Sequence, residues 1–187
     1  MIQIYTGHGK GKTTAALGLA MRAAGHNFKV RIIQFMKGSA YSGELTSAVK
    51  LGIEVFQFGR TCPHASVIKS GFMKCIGCGQ CWIGLKEITD LDKQKIEMAW
   101  QLAKDTIKER QHDLVILDEI MSALHKNLAP LKELVSVLKE SPDEVEVVLT
   151  GRNVPSELIE IAHYVSEVKM IKHPYQQGIE SRRGIEY

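Results

Sequence analysis

Nine residues near the start of the chain, Thr6 to Thr14, read T-G-H-G-K-G-K-T-T. Glycines at this density let successive backbone N–H groups turn toward one anion, and Lys10 and Lys12 set cations beside it. The run follows an apolar strand-like segment and precedes an alanine-rich helix former, so a helix N-terminus adds its partial positive charge. The chemistry served by such a loop is the holding of a nucleoside triphosphate with magnesium. Gly7, His8, Gly9, Lys10, Gly11, Lys12, Thr13 and Thr14 form the predicted cradle. Lys12 would reach a phosphate oxygen, and the Thr13 hydroxyl would face magnesium. The spacing departs from the common form of the motif. Counting back from Gly11-Lys12-Thr13, Thr6 occupies the usual first-glycine position, so the glycine falls one residue late.

A site of this kind needs an acid at the carboxyl end of a neighbouring strand, the edge where open α/β sheets bind ligands. Asp118 and Glu119 end the most apolar short run of the chain, Leu114 to Leu117, and one or both can hold magnesium. A third group of reactive side chains lies elsewhere. All four cysteines fall between Cys62 and Cys81, with Cys75, Cys78 and Cys81 at two-residue gaps and Gly77 and Gly79 between them. Thiols so clustered predict a metal centre in a reducing compartment. The gaps suit a 4Fe-4S iron–sulfur cluster with Cys62 as a distant fourth ligand. Zinc is the competitor, held by the four cysteines or by three of them with His64.

Alternating strand-like and helix-like segments predict the frame for these groups, an α/β fold with a mainly parallel sheet flanked by helices. Strands are expected at Ile2 to Thr6, Lys29 to Phe35, Ile53 to Phe58, Leu114 to Leu117, Val145 to Leu149 and Tyr164 to Ile171. Helices are expected from Lys12 to Ala24, from about Asp90 behind a Thr89 cap, from Pro130, and from Pro155 to Ala162. The apolar stripe of the Asp90 helix is Ile96, Ala99, Trp100, Ala103 and Ile107, and that of the Pro130 helix is Leu131, Leu134, Val135 and Leu138. Residues 59–84 show no clear period and read as a cysteine-rich insertion or long loop within one domain spanning 1–187. No internal repeat or low-complexity linker interrupts it.

The 187 residues are 44% hydrophobic and 24% charged, with a net charge of +3, close to a soluble globular average. No apolar stretch is long enough to cross a bilayer, and a cytoplasmic location is expected. The charge is too small to argue for nucleic acid, and no basic stripe with interleaved aromatics is present.

Beyond the loop, several segments resemble the ATP:corrinoid adenosyltransferases. They are T-G-H-G-K-G-K-T-T-A-A, A-M-R-A-A-G-H, V-R-I-I-Q-F-M-K-G, D-L-V-I-L-D-E-I and V-L-T-G-R-N-V-P, with the ending K-H-P-Y-Q-Q-G-I-E-S-R-R-G-I-E-Y. The similarity covers roughly residues 1–58 and 85–187. It implies a RecA-like phosphate-loop fold and a reaction other than phosphoryl transfer. The 5′-deoxyadenosyl group of ATP would pass to the cobalt(I) of a corrinoid, and tripolyphosphate would leave. It also implies a homodimer, with an electron-donor protein supplying cobalt(I).

Carried onto this sequence, Lys12, Thr13 and Glu119 are the expected catalytic residues, Thr13 and Glu119 being magnesium ligands with Asp118 in support. Arg152 is a further phosphate or substrate contact, or a surface arginine after a strand. The resemblance leaves the roles of Lys172, His173, Arg182 and Arg183 open. His8 stands where the family more often has asparagine, and the cysteine set departs from the family pattern. That departure bears on the corrinoid side and raises an electron relay or a structural clip as its use. The rival functions are an ATP-dependent switch or nucleic-acid motor, and a metal-sensing ATP-binding protein without corrinoid chemistry.

Overall fold

In the computed structural model, which describes residues 1–84 and 87–187, six strands form one parallel sheet in the order β3-β2-β4-β5-β1-β6. The strands are β1 (Ile2–Thr6), β2 (Val30–Phe35), β3 (Glu54–Phe58), β4 (Leu114–Asp118), β5 (Glu146–Thr150) and β6 (Tyr164–Glu167). The helices, in chain order, are α1 (Lys12–Ala24), α2 (Gly43–Lys50), α3 (Ala65–Ser70), α4 (Asp90–Glu109), α5 (Ile120–His125), α6 (Leu131–Lys139) and α7 (Ser156–Ile161). A 3-10 turn covers Pro174–Gln177.

Period-two alternation divides the strand side chains between two apolar layers. Ile32, Ile116 and Val148 face a layer containing Ala16, Ala20 and Ala23 of α1 and Ala48 of α2. Ile33, Val115, Leu117, Val147 and Leu149 face the larger layer. That layer includes Ile96, Ala99, Trp100, Ala103 and Ile107 of α4, the stripe expected from sequence. Small alanines let α1 lie close on the sheet, so its first turn projects directly over the strand ends. Every residue of β4 is buried, as a strand covered on both faces requires.

Strand β5 separates β1, which carries the phosphate loop, from β4, which carries the acids. Both loops therefore open at the same carboxyl edge, with the end of β5 between them. This is the arrangement expected of a RecA-like phosphate-loop fold.

Three expectations change in detail. The last strand is shorter than the Tyr164 to Ile171 apolar run, because pairing with β1 ends at Thr6↔Glu167 and β1 then turns into the glycine loop. In α6, Leu134, Val137 and Leu138 are buried while Leu131 and Val135 are only half-buried, so Val137 joins the inner face. The segment 59–84 is not periodless throughout: it contains α3, and Cys62, Ile68 and Ile83 are buried. Its end returns to the sheet edge, where Ile83 N–H donates to Met36 O at 2.9 Å and Gly38 N–H to Cys81 O at 3.0 Å.

A buried carboxylate fastens this segment to α4. Asp92 completes a capping box with Thr89 and receives two N–H groups of the Arg60 guanidinium, at 3.0 Å (Nε) and 2.5 Å (Nη2). The Arg60 hydrogen bonds hold the Asp92 carboxyl well below the ordinary carboxylate range, against the opposing effect of burial. A depressed folded pKa stabilises fully above the unfolded value and loses that stabilisation as pH falls through the folded one. Asp92→Asn is therefore expected to cost about 2 kcal/mol at neutral pH, and roughly 5 °C in melting temperature. The gap from wild type should close in strong acid, as thermal melts across pH would show.

Candidate functional site

The phosphate loop is shaped by the backbone that lies behind it. Gly9 N–H donates to Val168 O at 2.7 Å, and Val168 N–H donates to Thr6 O at 2.8 Å. A Cβ on Gly7 would sit 2.5 Å from Val168 O, and one on Gly9 would sit 2.7 Å from Lys169 O. Gly7 also adopts a φ of +102°, where side chains are strained. The late glycine therefore has a tertiary cause: the chain leaving β6 runs against the loop at Gly7, whereas Thr6 is still paired in β1.

Lys12, 7% exposed, donates through Nζ to Gly7 O at 2.8 Å and Gly9 O at 2.9 Å, bracing the loop from within. Burial pushes its pKa down; the Glu119 and Asp118 carboxylates oppose that shift, and the Arg152 charge adds to it. Thr13, at the start of α1, donates through Oγ1 to Asp118 Oδ1 at 2.8 Å. Thr150, at the end of β5, donates to the same oxygen at 2.7 Å. Gln34 Nε2 reaches Asp118 Oδ2 at 3.0 Å and is itself held by Gln57 at 2.7 Å. The Asp118 carboxylate, 1% exposed, is thus committed on both oxygens to protein donors, and it orients Thr13.

Glu119 is placed differently. It adopts a left-handed φ of 61°, outside the range most side chains prefer, which turns its carboxylate from the strand end into the cleft. Its N–H donates to Thr150 Oγ1 at 2.9 Å, and Ser122 Oγ donates to Glu119 Oε2 at 2.9 Å. Burial, then the neighbouring Asp118 charge, raises its pKa, while the Ser122 hydrogen bond, Lys12 and Lys37 counter the rise.

These groups line a cleft of about 640 Å³. Its walls include His8, Gly9, Lys10, Gly11, Lys12, Thr13, Thr14, Glu119 and Arg152, joined by Lys37, Glu44, Ser47, His173 and residues 184–187. The expected loop, acid and arginine therefore share one cavity, with Gly7 behind its wall and Asp118 beneath it. Sequence reasoning assigned no role to Gln34, Lys37, Glu44, Thr150 or Tyr187. Lys37 donates to Glu44 at 2.8 Å, and although burial opposes it, the Asp118, Glu44 and Glu119 charges raise its pKa. The signal for Gln34 and Lys37 was present in V-R-I-I-Q-F-M-K-G, a polar pair ending a buried strand.

The expected cysteine metal centre is not assembled. Among the described residues, which include all four cysteines, no group of three or more His, Cys, Asp or Glu side chains is placed to hold a metal. Cys62 is buried, Cys78 is exposed, and the Cys75 thiol is engaged with the Tyr41 hydroxyl at 3.1 Å. Burial, followed by that hydrogen bond, pushes the Tyr41 phenol well above its ordinary value. Gly77 and Gly79 take positive φ, and Cys78 between them faces solvent, whereas Cys62, Cys75 and Cys81 lie near Tyr41.

The sequence pattern of the family described as ATP:corrinoid adenosyltransferase BtuR/CobO/CobP matches residues 1–187. The chain belongs to the ATP:corrinoid adenosyltransferase family. A corrinoid adenosyltransferase of Escherichia coli K12 is 35% identical over the whole chain and 85% of its own length. One from a Sinorhizobium species is 35% identical over the whole chain and 80% of its own length. The corrinoid adenosyltransferase CobA of Salmonella typhimurium is 33% identical, again over the whole chain and 85% of its own. The protein is thus a member of a transferase family, and the match runs through residues 59–84, which the motif resemblance had left outside. Among the described residues no helix is long and apolar enough to cross a membrane.

Proposed function

We propose that the protein transfers the 5′-deoxyadenosyl group of ATP to the cobalt(I) of a corrinoid, with release of tripolyphosphate. The bond formed joins cobalt to ribose C5′, and the bond broken joins C5′ to the oxygen of the α-phosphate. The cobalt electron pair becomes the new bond, and the leaving oxygen keeps the old one. The observation that carries the reading is the braced glycine loop with Lys12 inside it, opening into a cleft sized for a nucleotide, in a chain of this family.

Gly7, His8, Gly9, Lys10, Gly11, Lys12, Thr13 and Thr14 form the triphosphate cradle, and Arg152 adds a cation at the cleft wall. The donors suit the group: glycines where a Cβ would collide with backbone, and a buried ammonium resting on loop carbonyls that it can leave for phosphate oxygens. Thr13 and Glu119 are the magnesium ligands, and Asp118 positions Thr13. A bound magnesium would neutralise charge on the triphosphate oxygens as the leaving group departs. Once Lys12 has turned from the loop carbonyls to the phosphates, it and the loop N–H groups stabilise the same developing charge without further reorganising, which is the main contribution expected of this chain. Holding C5′ fixed against the incoming cobalt supplies the remainder.

We further propose that residues 1–187 work as one domain, in the cytoplasm, as a homodimer served by an electron-donor protein. The reaction would stand in cobalamin biosynthesis or salvage. The test incubates the protein with ATP, magnesium and a chemically reduced corrinoid. A light-sensitive cobalt–carbon product and one tripolyphosphate per turnover are expected. ADP and orthophosphate without adenosylation would instead identify an ATP-driven switch and overturn the proposal.

A further inference from the structure

The cysteine segment and the residues ending at Tyr187 meet beside the nucleotide cleft. Residues 182–187 form a self-bonded turn. Arg182 donates from its backbone N–H, Nε and Nη2 to the Glu186 carboxylate at 2.7, 3.2 and 3.0 Å, and Gly184 N–H donates to Tyr187 O at 2.7 Å. The Arg182 hydrogen bonds, with a smaller contribution from Lys10 of the phosphate loop, hold the Glu186 carboxyl at about 2. The turn therefore sits near the loop as a neutralised pair rather than as a free carboxylate facing phosphates. Gly184 through Tyr187 line the same cleft as the loop.

What holds the turn in place comes from the segment between β3 and α4 and from Tyr41 in the loop between β2 and α2. Cys75 N–H donates to the Tyr187 hydroxyl at 3.1 Å. The Tyr41 ring meets the Tyr187 ring edge-on, with centroids 5.3 Å apart and an interplanar angle of 85°. The Tyr41 hydroxyl in turn bonds the Cys75 thiol, closing a three-residue clamp. Arg183 Nη2 donates to Lys69 O at the end of α3, at 3.1 Å. By contrast residues 169–172, which lead in from β6, are exposed. A segment led in by exposed chain opens at low free energy unless its other contacts hold it.

We propose that Tyr187 is a positioning residue for the nucleotide: clamped by Tyr41 and the Cys75 N–H, it latches the 182–187 turn as a wall of the cleft and so sets the affinity for MgATP. The latch rests on the reading of this cleft as the nucleotide site. It gives the cysteine segment a use that needs no metal, since its backbone and Tyr41 carry the contact. Removing the ring frees the turn, and each binding event must then order it anew, which weakens binding without altering the reacting atoms.

The experiment measures MgATP dissociation constants by calorimetry, and KM and kcat by adenosylation, for the full chain. Tyr187→Ala is expected to raise both the dissociation constant and KM for ATP about tenfold, with kcat at saturating ATP changed less than about twofold. Tyr187→Phe keeps the ring contact and loses only the Cys75 hydrogen bond, and about threefold is expected. Tyr41→Ala should weaken MgATP comparably to Tyr187→Ala, and the double variant no more than the weaker-binding single, because both act through one contact.

MgATP affinity unchanged in Tyr187→Ala overturns the latch, as do additive losses in the double variant. If Tyr187→Ala melts below assay temperature, the Tyr187→Phe value decides in its place. Wild-type protein that binds MgATP but transfers no adenosyl group defeats the proposed reaction and leaves the latch to be judged by the dissociation constants. If Lys12→Met and Lys10→Met each bind MgATP as tightly as wild type, the cleft is not the triphosphate site, and the latch falls with it.

Discussion

Lys12→Met is expected to lower kcat/KM for ATP by about 10²–10³-fold while leaving the protein folded. The ammonium is buried and directed at Gly7 O and Gly9 O, inside the loop where the triphosphate would lie. Carbonyl oxygens are weaker partners than phosphate oxygens, so the lysine gains when the ligand arrives. The gain is greatest when the leaving group carries its full charge, so kcat should fall as well as affinity. Methionine keeps most of the side-chain volume and removes a charge whose burial already pushes the Lys12 pKa down. Folded-state stability should therefore change little, because the two lost hydrogen bonds are offset by relief of that burial. Steady-state adenosylation with parallel thermal melts checks both halves. Near-normal transfer in a folded Lys12→Met protein would show that another cation does this work, with Lys10 the first candidate.

Glu119→Gln is expected to reduce magnesium-dependent turnover roughly 100-fold and, at the same time, to raise the melting temperature of the nucleotide-free protein. Burial and the adjacent Asp118 charge raise the Glu119 pKa, which means the charged form is disfavoured in the empty fold. The sign follows from proton counting. A carboxyl with a raised folded pKa binds more protons folded than unfolded, so stability declines as pH rises from the ordinary carboxylate range through the folded value. Glutamine cannot ionise and escapes that decline, and its amide oxygen can still accept from Ser122. The two proteins should melt alike in acid and diverge toward neutral pH, with the variant the more stable. Saturating magnesium should not restore its activity. A variant less stable than wild type at neutral pH would show that Glu119 serves the fold rather than the site. A stability cost held at a functional residue is a recurring feature of active sites.

Much of the frame was legible because its signals are local. The Leu114 to Leu117 run announced a strand covered on both faces, and β4 is buried throughout. Thr89 and Asp92 announced a helix start by their spacing, and the capping box is present. The short helices α2, α3 and α5 escaped notice. Each spans eight residues or fewer, α2 and α3 bury one apolar position apiece and α5 lasts under two turns, so no period could accumulate. The cysteine spacing misled for a different reason. Regular gaps report only which thiols can reach one point, whereas the pairing of residues 81–83 with the end of β2 fixes where they go. Cys75 bonds the Tyr41 hydroxyl, and Cys78 faces solvent.

The sequence by itself determined the glycine loop, its lysine and threonine, the acidic strand end and the alternating α/β order, because each rests on neighbours within one or two turns of chain. The tertiary structure alone decided where the two acids sit. Strand order places Thr150 of β5 and Gln34 of β2 on either side of Asp118, engaging both of its oxygens, while the left-handed turn at Glu119 leaves the second carboxylate facing the cleft. It also decided why the glycine falls late, since only the packing of Val168 and Lys169 against the loop forbids a Cβ at Gly7 and Gly9. Contacts between residues so far apart in the chain leave no spacing to read. They exist only once the sheet has brought their strands together.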